Sequence, residues 1–277
     1  MSRLRPKFHR KSGKGLPSKR KRREFLRALS VLAGIIGAAL LGFVPTAAKW
    51  KSRLRPPGAL SEKDFLASCI KCGQCVQVCP VNAIKLADIS DGFGLGSPYI
   101  DARYQACDFS CDAIQCVLAC PTGSLSHKIS FAREVSIGLA RLDQPDLCLA
   151  RQGKGFQGQA RGSDFKGLLR YAEVDRWKPI PVREHPYDLD LCDLCVRQCP
   201  IEIQIAQCST GQPPSNNQIA CPPKHALTLE PMEDQNGVSR KTPVVGEGCV
   251  GCGVCEMICP AEPAAIVVDQ RRTWGEV

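Results

Sequence analysis

The chain has 277 residues, of which 44% are hydrophobic and 23% are charged, proportions typical of a folded protein. They exclude a largely disordered chain, a collagen and a multi-span membrane protein. The formal charge of +10 is concentrated at one end, because residues 1–48 hold 12 Lys and Arg but one acid, Glu24. Residues 49–277 hold 25 basic and 26 acidic side chains. The folded part is therefore neutral, and we expect no nucleic-acid partner.

The first 48 residues have the features of an export signal. A basic run ends in Arg22-Arg23-Glu24-Phe25-Leu26, and the uncharged segment 29–44 leads to Pro45-Thr46-Ala47-Ala48. This order resembles the twin-arginine signal. We predict that residues 1–48 are a twin-arginine signal peptide or a retained N-terminal anchor, that residues 49–59 are a linker, and that the protein is exported folded to the periplasm. The uncharged segment is shorter than the roughly 20 residues that span a bilayer, which leaves cleavage and membrane association open.

Most of the 18 cysteines fall into four groups with regular spacing. The first and fourth groups follow the Cys-x2-Cys-x2-Cys-x3-Cys-Pro pattern typical of bacterial ferredoxins that bind [4Fe–4S] clusters. The second group has wider spacings, and the third lacks a first cysteine nearby. The groups are Cys69, Cys72, Cys75 and Cys79; Cys107, Cys111, Cys116 and Cys120; Cys192, Cys195 and Cys199; and Cys249, Cys252, Cys255 and Cys259.

This spacing favours an iron–sulfur cluster over zinc or disulfides. Three thiolates on one tight loop can bind three corners of a cubane cluster, and the N–H groups of the loop point at its sulfurs. Gly73, Gly251 and Gly253 allow the backbone to approach closely. We expect the fourth cysteine to lie on a short helical turn that its proline ends. Zinc sites do not need the third cysteine at this spacing, and cysteines so close on one loop do not easily form disulfides with each other.

The predicted fold class is α+β, with two tandem bacterial dicluster ferredoxin-like modules. Cys79-Pro80, Cys120-Pro121 and Cys259-Pro260 are each followed by a short turn and β-forming residues, which indicates duplicated units. We place the first module at 60–145, the second at 146–270 and a C-terminal tail at 271–277. The second module carries insertions at about 149–191 and 200–221. The first insertion starts with a glycine-rich stretch at 153–158, which we expect to be a flexible loop.

In two-cluster ferredoxins the fourth cysteine of each motif ligates the other cluster, which assigns most ligands. Three cysteines remain for cluster 3, which needs one more ligand from elsewhere. No catalytic residues and no further cofactor stand out. The sets are Cys69, Cys72, Cys75 and Cys120 for cluster 1; Cys107, Cys111, Cys116 and Cys79 for cluster 2; Cys192, Cys195 and Cys259 for cluster 3; and Cys249, Cys252, Cys255 and Cys199 for cluster 4.

The leader, the first motif, Gly96-Ser97-Pro98-Tyr99 and the last two motifs resemble the NapG/MauM-type exported ferredoxins. The resemblance implies four [4Fe–4S] clusters, and it implies that Cys148 completes cluster 3. It also implies electron transfer from a membrane quinol-oxidising ferredoxin-type protein to a periplasmic c-type cytochrome or reductase, in nitrate reduction or methylamine utilisation. Two inserted cysteines compete for these roles: Cys208 with Cys148, and Cys221, which precedes a proline and β-forming residues, with Cys199.

We therefore expect an electron-transfer component of an oxidoreductase system rather than a catalyst. Every strong motif builds a redox centre, and none builds a substrate pocket. One alternative is the tightly bound electron-transfer subunit of an exported molybdenum-type oxidoreductase. An alternative of another class is a maturation or assembly factor for a periplasmic redox enzyme, whose clusters would be labile.

Overall fold

The computed structural model describes residues 19–48, 53–91, 94–111, 113–169, 179–211, 221, 224–232 and 240–270. The chain divides into two compact units, residues 1–49 and residues 50–277. The α-helices of the described part are α1 (Lys19–Ala48), α2 (Glu62–Ser68), α3 (Gln74–Gln77), α4 (Gln115–Leu118), α5 (Leu194–Arg197), α6 (Pro200–Ser209) and α7 (Val254–Ile258). The strands are β1 (Ile84–Leu86), β2 (Pro98–Ile100), β3 (Leu139–Leu142), β4 (Phe156–Gly158), β5 (Leu168–Leu169), β6 (Ile180–Pro181), β7 (Tyr187–Leu189), β8 (Leu227–Met232), β9 (Arg240–Val245) and β10 (Ile266–Asp269).

The first unit contains the long helix α1. This helix carries Arg22 and Arg23, and it continues through the uncharged segment 29–44. Large apolar side chains such as Phe25 and Ile35 are exposed on it. None of the helices in the described ranges combines the length and the hydropathy needed to cross a membrane. Residues 1–18, the first four residues of the predicted linker (49–52) and the predicted tail at 271–277 lie outside the described residues.

The second unit is a mixture of short helices and short strand pairs, as the α+β prediction requires. In the described part, five antiparallel pairs form: β1 with β2, β3 with β10, β4 with β7, β5 with β6, and β8 with β9. Strands β1 and β10 follow Cys79-Pro80 and Cys259-Pro260, where the sequence predicts β-forming residues. After Cys120-Pro121 the chain makes only an isolated bridge, between Leu125 and Ala59.

One strand pair joins segments that are far apart in the sequence. Leu139–Leu142 pairs with Ile266–Asp269, and Ile266 lies opposite Leu142. The pair is continued by a hydrogen bond from the N–H of Ile137 to the carbonyl of Val250 (3.0 Å). The last strand of the second predicted module is thus paired with residues that precede position 146. The tandem arrangement of modules stays a prediction.

The glycine-rich start of the first insertion is not the flexible loop expected from the sequence. Its residues Phe156–Gly158 form β4, which pairs with Tyr187–Leu189 across the insertion. Gly155 permits this approach, because a Cβ there would lie only 2.0 Å from the carbonyl oxygen of Leu189. The local sequence hides the strand, since its partner lies some thirty residues further on and only the folded chain brings the two together.

The core of the second unit is built from apolar side chains and cysteines together. Phe65, Val117, Met257 and Ile258 are fully buried. Cysteines from all four motifs belong to the same buried cluster or pack against it. Burial of each large apolar side chain contributes about 1.5–3 kcal/mol, and these side chains surround the cysteine loops. The core therefore positions the thiols and shields many of them from water.

Candidate iron–sulfur centres

Each cysteine motif contains one helix of about one turn, and this helix carries the third cysteine of a full motif. Cys75 lies in α3, Cys116 in α4, Cys195 in α5 and Cys255 in α7. The helices α3 and α7 start directly after Gly73 and Gly253, whose φ angles are +76° and +89°. Glycine adopts this left-handed conformation without a steric penalty, which allows the loop to turn sharply into the helix.

The fourth cysteine does not lie on this turn, contrary to the expectation from sequence. Cys199 and Cys259, which directly precede prolines, have φ and ψ values of −66° and 120° and of −59° and 121°. The ring of a following proline disfavours the helical conformation of the preceding residue. Pro200 instead starts α6, because proline fits the first position of a helix. The fourth thiol therefore leaves the helix and projects from extended backbone.

The structure brings the thiols together in four sets. The thiols of Cys69, Cys72 and Cys120 lie close enough to that of Cys75 to raise its pKa electrostatically. In the same way Cys107 is affected by Cys111, Cys116 and Cys79, Cys195 by Cys192, Cys148 and Cys259, and Cys255 by Cys252, Cys249 and Cys199. These sets have the same members as those that the spacing and the family resemblance assign to clusters 1, 2, 3 and 4. That the sets ligate clusters stays a prediction.

Three of the sets surround cavities. Cys69, Cys72, Cys75 and Cys120 line one cavity together with apolar side chains that include Phe65 and Leu125. The third and fourth sets line two others, which also have leucine, isoleucine and alanine in their walls. Among the described residues, no group of three or more His, Cys, Asp or Glu side chains is arranged to hold a single metal ion. The thiols of these three sets instead face a shared space with an apolar wall.

Burial and mutual repulsion make these thiols poor sites for unbalanced negative charge. Burial raises the pKa of Cys75 to about 11, and the neighbouring thiols of its set contribute to the rise. Burial likewise raises the pKa of Cys192 to about 11 and that of Cys199 to about 12. Four thiolates can share such a space only if positive charge is bound between them. An iron–sulfur cluster supplies iron ions at this position, so the donor set fits the group.

Cys120 differs from Cys75, Cys192 and Cys199 because side-chain as well as backbone hydrogen bonds reach its thiol. Burial alone would raise its pKa, but hydrogen bonds from Ser124, from the Leu125 N–H and from Thr122 outweigh this and lower the pKa to about 7. The Sγ atom of Cys120 lies 3.2 Å from the Ser124 hydroxyl oxygen and 3.5 Å from the Leu125 nitrogen. The sequence analysis missed Thr122 and Ser124, although their position just after Cys120-Pro121 is a usable signal.

Backbone N–H groups donate to two further fourth cysteines. The Ala83 nitrogen lies 3.3 Å from the Sγ of Cys79, and the Ala265 nitrogen lies 3.4 Å from the Sγ of Cys259. In both cases the donor follows the Cys-Pro turn. Hydrogen bonds to sulfur stabilise thiolate charge and raise the reduction potential of a bound cluster. The Cys-Pro turns thus position the thiol and provide its donor.

The cysteine loops of the first and second motifs each contain one left-handed residue other than glycine. Phe109 has φ of +52°, and Lys71 in the first motif has a similar value of +58°. The second motif has one extra residue before Cys111 and two before Cys116, and Cys111 still lies beside the other thiols of its set. Burial raises the pKa of the Cys111 thiol, and the thiol of Cys79 contributes to the same shift.

Cys208 and Cys221 are bonded to each other in a disulfide. Neither thiol is therefore free to compete with Cys148 or Cys199 for a cluster. The helix α6 carries Cys208 in its last turn, where Cys221 meets it. The remaining 16 cysteines are free thiols. Rejection of a disulfide framework thus holds for the four motifs but not for this inserted pair.

Comparison with known proteins agrees with these centres. The family model described as "4Fe-4S dicluster domain" matches residues 68–124, and the one described as "4Fe-4S binding domain" matches residues 246–262. No solved structure matches the chain. The fold and the thiol sets, together with these matches, define an iron–sulfur protein of the ferredoxin type, and its function is electron transfer.

Relatives along most of the chain identify the family. The chain is 32% identical over 250 residues to the ferredoxin-type protein NapG of Escherichia coli, an alignment that covers 89% of this chain and 84% of the relative. It is 34% identical over 252 residues to the methylamine utilization ferredoxin-type protein MauM of Paracoccus denitrificans, with 88% and 86% covered. MauM of Methylobacillus flagellatus is 32% identical over 243 residues, with 88% and 78% covered. The chain belongs to the NapG/MauM family of ferredoxin-type proteins, which confirms the resemblance.

Proposed function

We propose that the chain holds four [4Fe–4S] clusters and carries electrons across the periplasm. The donor is a membrane quinol-oxidising ferredoxin-type protein, and the acceptor is a c-type cytochrome or a reductase in a nitrate-reductase or methylamine-utilisation type of system. The observation that carries the proposal is the gathering of sixteen thiols into four sets of four. Similarity to proteins named NapG and MauM supports the kind of pathway.

Different residues around each set perform different functions of a redox centre. Thiolates of the set hold the cluster, and the Cys-Pro turns supply hydrogen bonds that stabilise charge at the fourth sulfur. Apolar walls keep water away from the space for the cluster, and this exclusion of water influences the reduction potential of a bound cluster. When bound, each cluster accepts or donates one electron. The protein then determines where electrons enter and leave by which thiols it exposes and which it buries.

Two observations support export. Arg22 and Arg23 precede the uncharged part of α1, as in a twin-arginine signal. The disulfide between Cys208 and Cys221 suits an oxidising compartment, since cytosolic thiols are normally kept reduced. Transport of a folded protein would allow clusters built in the cytoplasm to reach the periplasm intact.

The test is the iron and acid-labile sulfide content of the anaerobically purified protein, measured with EPR after reduction. We expect about sixteen iron atoms per chain, since four [4Fe–4S] clusters contain that number. Signals of reduced [4Fe–4S] clusters should account for the iron. About twelve iron atoms or fewer, or zinc in place of iron, would contradict the four-cluster proposal.

A further inference from the structure

We propose that the four centres form one linear chain in the order 1, 2, 4, 3, with centres 2 and 4 in contact at its middle. Here a centre is the set of four thiols given the same cluster number above. This inference rests on the proposed four-cluster function and adds a route to it. The order differs from that of the motifs along the sequence, in which the third motif would follow the second.

Centres 1 and 2 are neighbours because they share two short segments of chain. Cys75 and Cys79, four residues apart around α3, belong to centres 1 and 2 respectively. Cys120 and Cys116, around α4, belong to the same two centres in the reverse sense. The thiol of Cys75 also acts electrostatically on that of Cys116. One helical turn therefore separates the two centres on each side.

Centres 4 and 3 are related in the same way. Cys195 and Cys199 lie on either side of the end of α5, and Cys255 and Cys259 on either side of the end of α7. In each pair one thiol belongs to centre 3 and the other to centre 4. The thiol of Cys195 acts electrostatically on that of Cys255. These contacts join centre 4 to centre 3 directly.

The contact between the two pairs is made by centres 2 and 4. The N–H of Cys107 in centre 2 donates to the carbonyl of Cys252 in centre 4, with 3.2 Å between nitrogen and oxygen. The preceding residue, Ala106, donates its N–H to the sulfur of Met257 in α7 (3.2 Å). A Cβ at Gly253 would lie 2.6 Å from the Cβ of Ala102. The two cysteine loops are thus packed closely against each other.

A buried carboxylate marks the same junction. Asp108 is only 8% exposed, and it directly follows Cys107. It acts electrostatically on Cys111 of centre 2 and on Cys252 of centre 4. A single buried charge can act on thiols of both centres only if these centres lie near each other. This observation agrees with the backbone hydrogen bond at the neighbouring residue Cys107.

The order assigns different roles to the centres. Centres 1 and 3 lie at the ends of the chain, and Cys72 of centre 1 is exposed on the surface. Electron transfer slows steeply with distance, so electrons pass mainly between centres in contact. Loss of centre 2 or 4 should therefore interrupt the route, whereas loss of centre 1 or 3 should only shorten it.

The order can be tested by magnetic coupling between reduced clusters, which depends on their separation. The test variant lacks centre 4 through Cys249→Ala and Cys252→Ala, and the control lacks centre 3 through Cys192→Ala and Cys195→Ala. All proteins are fully reduced, and their EPR spectra are compared at matched iron content. Neighbouring paramagnetic clusters broaden and split each other's signals, and an isolated cluster gives a simple signal.

The proposed order predicts opposite results for the two variants. Without centre 4, cluster 3 is isolated and should give an uncoupled signal of about one spin per chain, as expected for one reduced [4Fe–4S] cluster. Without centre 3, the three remaining clusters are contiguous, and all signals should stay coupled. An uncoupled signal in the variant without centre 3, with full coupling in the variant without centre 4, would overturn the order.

If an alanine pair removes more than one cluster's iron, Cys252→Ser and Cys195→Ser replace it, because a serine oxygen can also ligate iron. The signal of cluster 2 should then change in Cys252→Ser but not in Cys195→Ser, and the reverse pattern would contradict the order.

Failure of the proposed order can be distinguished from failure of the proposed function. Low iron content in the unmodified protein would reject four clusters, whereas full iron with the reverse coupling pattern would reject only the order.

Discussion

At the scale of single residues, Gly251 shows how closely a cysteine loop approaches its neighbour. The residue lies between Cys249 and Cys252, and a Cβ there would be 2.2 Å from the carbonyl oxygen of Gly138. Gly123, which follows Cys120-Pro121, has the same φ of +68° but nothing within 4 Å of a Cβ. The two positions therefore share their backbone conformation and differ in the space around them.

Substitution of each glycine by alanine should separate these two effects. Both changes introduce the strain of a left-handed alanine, about 1–2 kcal/mol. Gly251→Ala adds an overlap with backbone that cannot move aside, which costs roughly 1–3 kcal/mol more. We expect Gly251→Ala to lose iron from centre 4 and Gly123→Ala to keep full iron content, measured per purified chain. Equal iron loss in both variants would show that the conformation and not the close approach is decisive.

At the scale of secondary-structure elements, α6 and β8 are tied together by a carboxylate and a disulfide. Glu202 in the first turn of α6 accepts hydrogen bonds from the N–H groups of Ala226 and Leu227, at 2.6 and 3.1 Å. The disulfide of Cys208 joins the last turn of the helix to Cys221, just before β8. Because the helix starts at Pro200, directly after a thiol of centre 4, this pair of ties holds the element beside the centre.

The disulfide should be dispensable for iron binding. We expect Cys208→Ala and Cys221→Ala to retain full iron content, since neither thiol belongs to a set. Cys199→Ala is the matched control, and it should lose the iron of about one cluster. Iron and sulfide per chain provide the readout. Loss of a cluster's iron in the first two variants would show that the inserted pair and not Cys148 and Cys199 completes centres 3 and 4.

The same pair of thiols also reports on export. Alkylation of free thiols followed by mass spectrometry should find the disulfide in the periplasmic fraction. A variant with Arg22→Lys and Arg23→Lys should remain in the cytoplasm with both thiols reduced, because that compartment keeps thiols reduced. A disulfide formed equally in both fractions would remove this support for export.

At the scale of the whole molecule, two arginines join segments that lie far apart in the sequence. Arg103 donates to the carbonyls of Glu256, Cys259 and Ala261, at 2.7–2.9 Å. Arg161 donates to the carbonyls of Arg103 and Met257. Carbonyls at the end of a helix such as α7 have no partner within the helix, and cations stabilise them. The arginines therefore complete the end of α7 and attach it to the segment before centre 2.

The guanidinium groups of Arg103 and Arg161 are largely buried in this contact. Burial lowers the pKa of Arg161, and the positive charge of Arg103 nearby lowers it further. The side chain of Arg103 is 21% exposed, and that of Glu262, its carboxylate partner, is 75% exposed. The exposed ion pair contributes little. The three carbonyls account for most of the stabilisation, because they would otherwise be left without donors.

Arg103→Gln should weaken the attachment of α7 to the segment before centre 2. Loss of charge-assisted hydrogen bonds to buried carbonyls costs roughly 2–4 kcal/mol. We expect the half-life of the visible iron–sulfur absorbance in urea to shorten by about tenfold or more, since 1.4 kcal/mol corresponds to a factor of about ten. Arg141→Gln is the control, because its side chain is 48% exposed and pairs with Asp143 and Asp269. A half-life equal to that of the control would contradict this role for Arg103.

Local features of this protein were predictable from its sequence. Cysteine spacing reflects the reach of a tight loop around one cluster, so the positions of the cysteines along the chain were enough to group the four motifs. The strands β1 and β10 after Cys79-Pro80 and Cys259-Pro260 could be expected for the same reason, since both depend on residues close in the chain. The left-handed turns at Gly73 and Gly253 also follow from glycine at these positions.

Only the tertiary structure decided how these local pieces are joined. Three contacts connect residues more than a hundred positions apart: the pairing of β3 with β10, the hydrogen bond of Cys107 with Cys252, and the hydrogen bonds from Arg103 to the end of α7. Such contacts carry no local pattern, because they depend on which buried surfaces meet after folding. The sequence by itself determined the iron–sulfur class of the protein and the grouping of most cysteines into motifs, because both depend on spacing along the chain. The contact between the second and fourth cysteine loops and the partner of Cys208 were decided by packing.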